Sequence, residues 1–186
     1  MKQFHALSIV LILALVLPSC ASAQPVNAPQ TANTPLPPPA WLSMDLTDVS
    51  TGKSFTINDF KGKVVLVDAM AIWCPNCLRQ AQHLKDLRAI YGPNDLVVVT
   101  LDIDLNENEA MLAEYAKKNG FDWPFVVAPL AMMRDIGNLY GARFVDPTLS
   151  PTLVVDRTGE VFKMGFGEKK AEDMSKSLAP FIKAGK

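Results

Sequence analysis

The chain has 186 residues, 49% of them apolar and 20% charged, and a formal net charge of -1. That length suits one domain with additions, and the near-zero charge argues against a nucleic-acid binder, which shows a basic excess. Three cysteines and two histidines are too few for a disulfide-stapled scaffold. They are also too few for a four-ligand zinc cage in the folded part, because His5 and Cys20 fall in the leader.

The first segment, residues 1–23, reads as a secretory signal. Lys2 supplies the positive start, and Ala6 to Leu17 is almost wholly apolar but too short to span a bilayer comfortably. Ala21-Ser22-Ala23 is a small-x-small cleavage site that starts the mature chain at Gln24. Leu17-Pro18-Ser19-Cys20 offers an alternative, a lipobox with a lipid anchor at Cys20, and an uncleaved N-terminal anchor is a third reading. All three place the domain outside the cytoplasm, in the periplasm or cell envelope. Residues 24–40, rich in Pro, Ala, Asn and Thr, lack core-forming side chains and read as a semi-extended linker.

The domain runs from 41 to 186. Met44–Thr47 and Ser54–Ile57 flank Ser50-Thr51-Gly52-Lys53 as a small hairpin. Val64-Val65-Leu66-Val67-Asp68-Ala69 is an apolar run with one acid, as expected of a strand buried on both faces. Leu78, Ala81, Leu84, Leu87 and Ile90 recur at helical spacing until Tyr91-Gly92-Pro93. A second buried strand covers Leu96–Leu101, a helix Asn106–Asn119 with Met111, Leu112, Tyr115 and Ala116 on one face, and a short strand Trp123–Ala128. A helix over Leu130–Tyr140, a hairpin joining Thr152–Val155 to Glu160–Gly165, and a helix over Lys170–Lys183 complete the chain. Strands alternating with helices predict an α/β fold around a central sheet.

Trp73-Cys74-Pro75-Asn76-Cys77 lies where the first buried strand meets the first helix. Cys74 then takes the N-cap position and Pro75 the first helical position, where a missing N–H costs nothing. The helix terminus stabilises a thiolate at Cys74 and lowers its pKa below the free value of about 8.5. Cys77, one turn in, faces the interior. An exposed nucleophile with a protected resolving partner is what thiol–disulfide exchange requires. Asp68, buried on the strand, is the candidate base for Cys77, because desolvation raises a carboxyl pKa. Trp73 reads as a flat cover beside Cys74 that shapes client contact, next to Pro75. The acidic stretch Asp102, Asp104, Asn106, Glu107 and Glu109 departs from a calcium loop and reads as a strand-to-helix connection with capping residues. His83 reads as a solvated surface residue, and Tyr115, Trp123, Phe125 and Phe144 as core.

The run Val65-Leu66-Val67-Asp68-Ala69-Met70-Ala71-Ile72-Trp73-Cys74-Pro75-Asn76-Cys77 resembles the active-site strand and turn of the thioredoxin fold. The added hairpin, the leader and the inserted helix at Asn106–Asn119 are similar to its TlpA/ResA-like branch, extracytoplasmic thiol-disulfide oxidoreductases. The resemblance implies a central mixed sheet flanked by helices. It implies a redox-active Cys74–Cys77 disulfide with no further cofactor and no metal. It also implies disulfide-bearing client proteins, a membrane electron donor, and reduction as the direction, for example in cytochrome c maturation. A cis-proline beside the dithiol is implied too. Ser150-Pro151 is the preferred match and Pro147 the rival, with the Ser150 backbone left free to pair with a client strand. A peroxiredoxin-type thiol peroxidase and a non-catalytic metal carrier or docking module are the alternatives. The segment Gly141–Pro151 is longer than this family usually has there, and Arg143–Leu149 within it lines or alters the client groove.

Overall fold

The structure is a computed structural model that describes residues 38–184. The leader, Cys20 and most of the linker lie outside the described residues. The folded unit opens with a 3-10 turn at Ala40–Ser43, in which Trp41 and Leu42 are fully buried. The strands β1 (Leu46–Thr47) and β2 (Ser54–Phe55) pair as the expected antiparallel hairpin. Asp48 closes it by accepting from Ser50 N–H and Thr51 Oγ1.

Five strands form the central sheet in the order β5-β4-β3-β6-β7. They are β3 (Val64–Met70), β4 (Leu96–Asp102), β5 (Phe125–Val127), β6 (Thr152–Val155) and β7 (Val161–Lys163). β4 runs parallel to β3 and β5, whereas β6 is antiparallel to β3 and β7. The helices are α1 (Pro75–Ile90), α2 (Glu109–Asn119), α3 (Leu130–Tyr140) and α4 (Ala171–Lys183). Gly120, left-handed at φ 65°, stops α2 as glycine permits.

All seven residues of β3 are buried, as its unbroken apolar run predicts. Alternation divides them. Val64, Leu66 and Met70 join the core under α1, α2 and α4, with Leu84, Leu112 and Leu178. Val65, Val67 and Ala69 join the opposite core, with Trp41, Leu46 and the α3 residues Met132 and Ile136. The period of two puts Asp68 on the α1 face, together with Thr152, its β6 register partner. Thr100 and Asp102 of β4 follow the same parity as Leu96 and Val98 and lie on that face too.

Two helical positions depart from the periodicity. Ile90 and Met111 are exposed, not core; Ile90 is the last residue of α1 and Met111 stands in the first turn of α2. The buried Tyr115, Trp123, Phe125 and Phe144 match expectation.

Trp41 ties the start of the fold to α3, since its indole N–H donates to Tyr140 Oη at 3.2 Å. Trp41→Ala should cost about 3–5 kcal/mol of unfolding free energy in urea, as for other buried aromatic truncations. Trp41→Phe, which keeps one aromatic ring but loses the hydrogen bond and part of the buried volume, should cost less, about 1–3 kcal/mol.

Candidate active site

The backbone leaves β3 through a turn from Ala71 to Cys74, closed by Cys74 N–H donating to Ala71 O at 3.1 Å. Cys74 is the N-cap of α1 with an extended backbone (φ -84°, ψ 110°), and Pro75 follows at the first turn. Cys77 N–H donates to Cys74 Sγ at 3.3 Å, so the sulfur occupies the position a capping oxygen usually takes. The two cysteines form a disulfide, with Cα atoms 5.2 Å apart. On reduction, the same N–H and the helix terminus stabilise negative charge on Cys74.

Both sulfurs are covered. Cys77 is 1% exposed, as expected, but Cys74 is only 2% exposed, which corrects the expectation of a solvent-facing nucleophile. The cover is the segment after α3, which folds into 3-10 turns at Ala142–Val145 and Pro147–Leu149. Pro147 O lies 3.1 Å from Cys77 Sγ and 3.6 Å from Cys74 Sγ. Asp146 caps the second turn, its Oδ1 accepting from Thr148 N–H and Oγ1. The residues left open around the disulfide are Trp73, 57% exposed, with Pro75 and Asn76.

Ser150 and Pro151 also differ from the resemblance. No peptide bond among the described residues is cis, so Ser150-Pro151 is trans. Ser150 is left-handed (φ 46°, ψ 56°) and buried. That conformation turns its N–H back to Pro147 O at 3.1 Å and its carbonyl to Lys169 Nζ at 3.0 Å. Its backbone is therefore occupied, not open to a client strand as expected. Pro151 O accepts from Ala69 N–H at 3.2 Å, which seats the proline on β3.

Asp68 is 1% exposed. Burial pushes its carboxyl up to about 7, against the opposing Lys169 charge and the Thr152 hydroxyl. Thr152 Oγ1 donates to Asp68 Oδ1 at 3.4 Å. Lys169 Nζ lies 3.4 Å from the same hydroxyl and also donates to Gly167 O at 2.7 Å. Burial lowers the Lys169 pKa, and the Asp68 charge partly restores it. A carboxyl that titrates near neutrality on the α1 face of the sheet can take and return a proton. Thr152 and Lys169 escaped sequence reading. Thr152 looked like an ordinary strand residue, and Lys169 stands among other lysines before α4 with no local pattern to mark it.

The acidic loop does more than connect β4 to α2. Asn108, not an acid, caps α2 through Met111 N–H. Asp104 Oδ2 accepts from the Trp73 indole N–H at 2.6 Å, and Glu107 accepts from Ile72 N–H. His83 is not idle either, since its Nε2 lies 3.2 Å from Glu168 Oε1, and Glu168 also binds Arg79.

The raised Asp68 pKa has a consequence for stability. The folded state holds this proton more tightly than the unfolded chain, so the contribution is full below the ordinary value of 3.8 and is lost as pH rises to about 7. In the oxidised protein, Asp68→Asn should therefore remove a loss on the order of 2–3 kcal/mol between about pH 5 and about pH 8. Urea unfolding at the two pH values measures it, and an unchanged pH dependence would contradict the burial of an ionisable Asp68.

The Redoxin family model matches residues 27–179. The chain is 26% identical to the thiol-disulfide oxidoreductase ResA of Geobacillus thermodenitrificans over 127 residues, which are 68% of each chain. It is 28% identical to the ResA protein of Bacillus thuringiensis subsp. konkukian over 133 residues, 72% of this chain and 71% of that one. Among solved structures it is similar to a thiol:disulfide interchange protein of the thioredoxin family from Chlorobium tepidum TLS. The TM-score is 0.59 at 21% identity, covering 78% of this chain and 97% of the other. It is also similar to the thioredoxin domain of a thiol-disulfide oxidoreductase from Bacteroides vulgatus, with a TM-score of 0.59 at 20% identity over 79% and 99% of the two chains. The strand-to-helix turn carrying Cys74 and Cys77, the five-stranded sheet beneath it and the sequence match agree: the chain is a thioredoxin-fold member of the Redoxin family.

Proposed function

We propose that this chain is a thiol-disulfide oxidoreductase that works as a reductant on disulfides of exported proteins. The observation that carries the reading is the Cys74–Cys77 disulfide at a helix N-terminus, on the same side of the sheet as a buried carboxyl near neutrality. In the dithiol form, the Cys74 thiolate attacks one sulfur of a client disulfide. A mixed disulfide forms and the other client sulfur leaves as a thiolate. Cys77 gives its proton to Asp68, and the Cys77 thiolate attacks Cys74 Sγ. The disulfide closes, the second client thiolate leaves, and the client has gained two electrons. The Asp68 proton returns to solvent or to the departing thiolate. A dithiol donor must then re-reduce the pair, and outside the cytoplasm a membrane carrier fits that role.

Several features support the direction and place. Pro75-Asn76 adds no cation beside Cys74 of the kind that makes a strong oxidant by stabilising the reduced form. Relatives named ResA are thiol-disulfide oxidoreductases. The leader at 1–23, followed by the 24–40 linker, carries the domain to the periplasm or envelope, with Cys20 as the alternative lipid anchor. Apocytochromes c are one client class that the family resemblance implies. Trp73 and Pro75 present the exposed surface that a client meets beside the reactive pair, with Ser150 and Pro151 behind it.

Cys77→Ser should trap clients in mixed disulfides through Cys74, recoverable by mass spectrometry, whereas Cys74→Ser should trap none. Identical trapping by both variants, or none by either, would overturn the exchange mechanism. The potential of the pair should lie closer to about -270 mV than to about -120 mV, the thioredoxin and strong-oxidant ends of the range. A value at the oxidising end would reverse the direction assigned here.

A further inference from the structure

The end of β4 and the loop leading to α2 hold three carboxylates that the exchange chemistry does not use. Two of them grip the turn that delivers Cys74. Glu107 Oε1 and Oε2 accept from Ile72 N–H at 3.1 and 2.9 Å. Asp104 Oδ2 accepts from the Trp73 indole, while its Oδ1 binds Asn106 N–H at 2.8 Å and the Asn106 amide at 2.9 Å. Ile72 and Trp73 are the two central residues of the Ala71–Cys74 turn, so the turn is held from outside at both.

The third carboxylate explains what holds Glu107. Asp102 ends β4 opposite Met70 and is 1% exposed. Its Oδ1 accepts from Asp104 N–H at 3.1 Å, but Oδ2 is buried with no hydrogen-bond partner. Beyond burial, the Glu107 carboxylate raises the Asp102 pKa, both by its charge and as a side-chain hydrogen-bonding partner. An ionised Asp102 would leave a bare oxygen against a second carboxylate, at a large cost. A protonated Asp102 turns the orphaned Oδ2 into an O–H donor to Glu107 and satisfies both groups. Burial pushes Asp102 up to about 7, the Asp104 N–H opposes this, and the Glu107 and Asp104 carboxylates add to the rise. From α2, the buried Tyr115 hydroxyl has no hydrogen-bond partner among the described residues, and its pKa is raised first by burial and then by the Asp68 and Glu107 charges. From the Cys74 turn come only the Ile72 N–H and the Trp73 indole. Among the described residues, no Lys, Arg or His forms an ion pair with Asp102, Asp104 or Glu107.

We propose that Glu107 is a positioning residue for the Cys74 turn, held by a proton it shares with Asp102, so that the turn is clasped while the proton is bound and loosened when it leaves. Glu107 touches no reacting atom and acts through the Ile72 N–H, two residues before Cys74. The functional half of the inference rests on Cys74 being the exchanging sulfur, but the clasp itself does not.

Amide NMR of the oxidised full chain tests it, because the cysteines do not titrate in that state. Ile72 N–H should shift with a midpoint near the Asp102 value of about 7. Its hydrogen-exchange protection should fall about tenfold above that pH, as expected for loss of one hydrogen bond to a charged group. Asp68→Asn should leave this midpoint in place, which separates the two buried acids. In Glu107→Gln the amide oxygen can still accept from Ile72 while its NH2 donates to Asp102, so protection should persist at every pH and the titration should vanish. Asp102→Asn should likewise give a protected, pH-independent Ile72, and Glu107→Ala an unprotected one. An Ile72 titration that survives Asp102→Asn, or follows Asp68→Asn, would overturn the clasp.

For function, the Cys77→Ser background is reacted with a small aromatic disulfide. Added Glu107→Ala should slow mixed-disulfide formation about tenfold, the same single hydrogen bond, and Glu107→Gln should restore the rate. Equal rates in all three would remove the positioning role. A Cys77→Ser protein that does not react at all would sink the exchange reading, and the Ile72 titration would still decide the clasp.

Discussion

A carboxyl that water cannot reach, on a strand buried along its whole length, is the constraint from which the site follows. β3 is covered on both faces, so every side chain on it belongs to one of two cores. The alternation that sends Leu66 and Met70 toward α1 sends Asp68 there as well. The same strand runs directly into the turn that makes Cys74 an N-cap. One buried strand thus places an acid and a helix-terminal sulfur on the same side of the sheet. The acid is held near neutrality by lack of solvent, and the thiolate is favoured by the first turn of a helix.

The neighbours of that pair come from distant parts of the chain. Lys169, just before α4, bridges the Thr152 hydroxyl beside Asp68 and the carbonyl of Ser150. It therefore links the buried acid to the segment that covers the disulfide. That segment places Pro147 O against both sulfurs and is held by the left-handed Ser150 and by Gly167 N–H donating to Leu149 O at 2.7 Å. The cover excludes water from the sulfurs, which strengthens the local electrostatics acting on them.

On the other flank, the inserted helix does more than fill the α1 face. Its leading loop brings Asp104 and Glu107 onto the two residues ahead of Cys74. The exposed Trp73 ring keeps its indole N–H anchored while its face stays open. Backbone and side chain are thus fixed in the same turn by one short loop. Asp102, buried at the end of β4, supports that loop from below.

The sequence by itself determined the parts governed by local patterns. The apolar run around Asp68, the Cys74–Cys77 spacing, Pro75 at the helix start and the periodicity of α1 are short-range features. They were sufficient to place the strand, the cap and the buried acid, because burial period and capping geometry act within a few residues. Tertiary structure alone decided the exposure of Cys74, the trans Ser150-Pro151 bond, the Lys169 link and the grip of Glu107 on Ile72. Each depends on where a distant segment comes to rest against the β3–α1 junction. Coverage and hydrogen-bond partnership across the fold leave no periodic trace in the chain. An acid that caps a helix and an acid that clasps a turn are the same letter until the β4–α2 loop is folded onto Trp73.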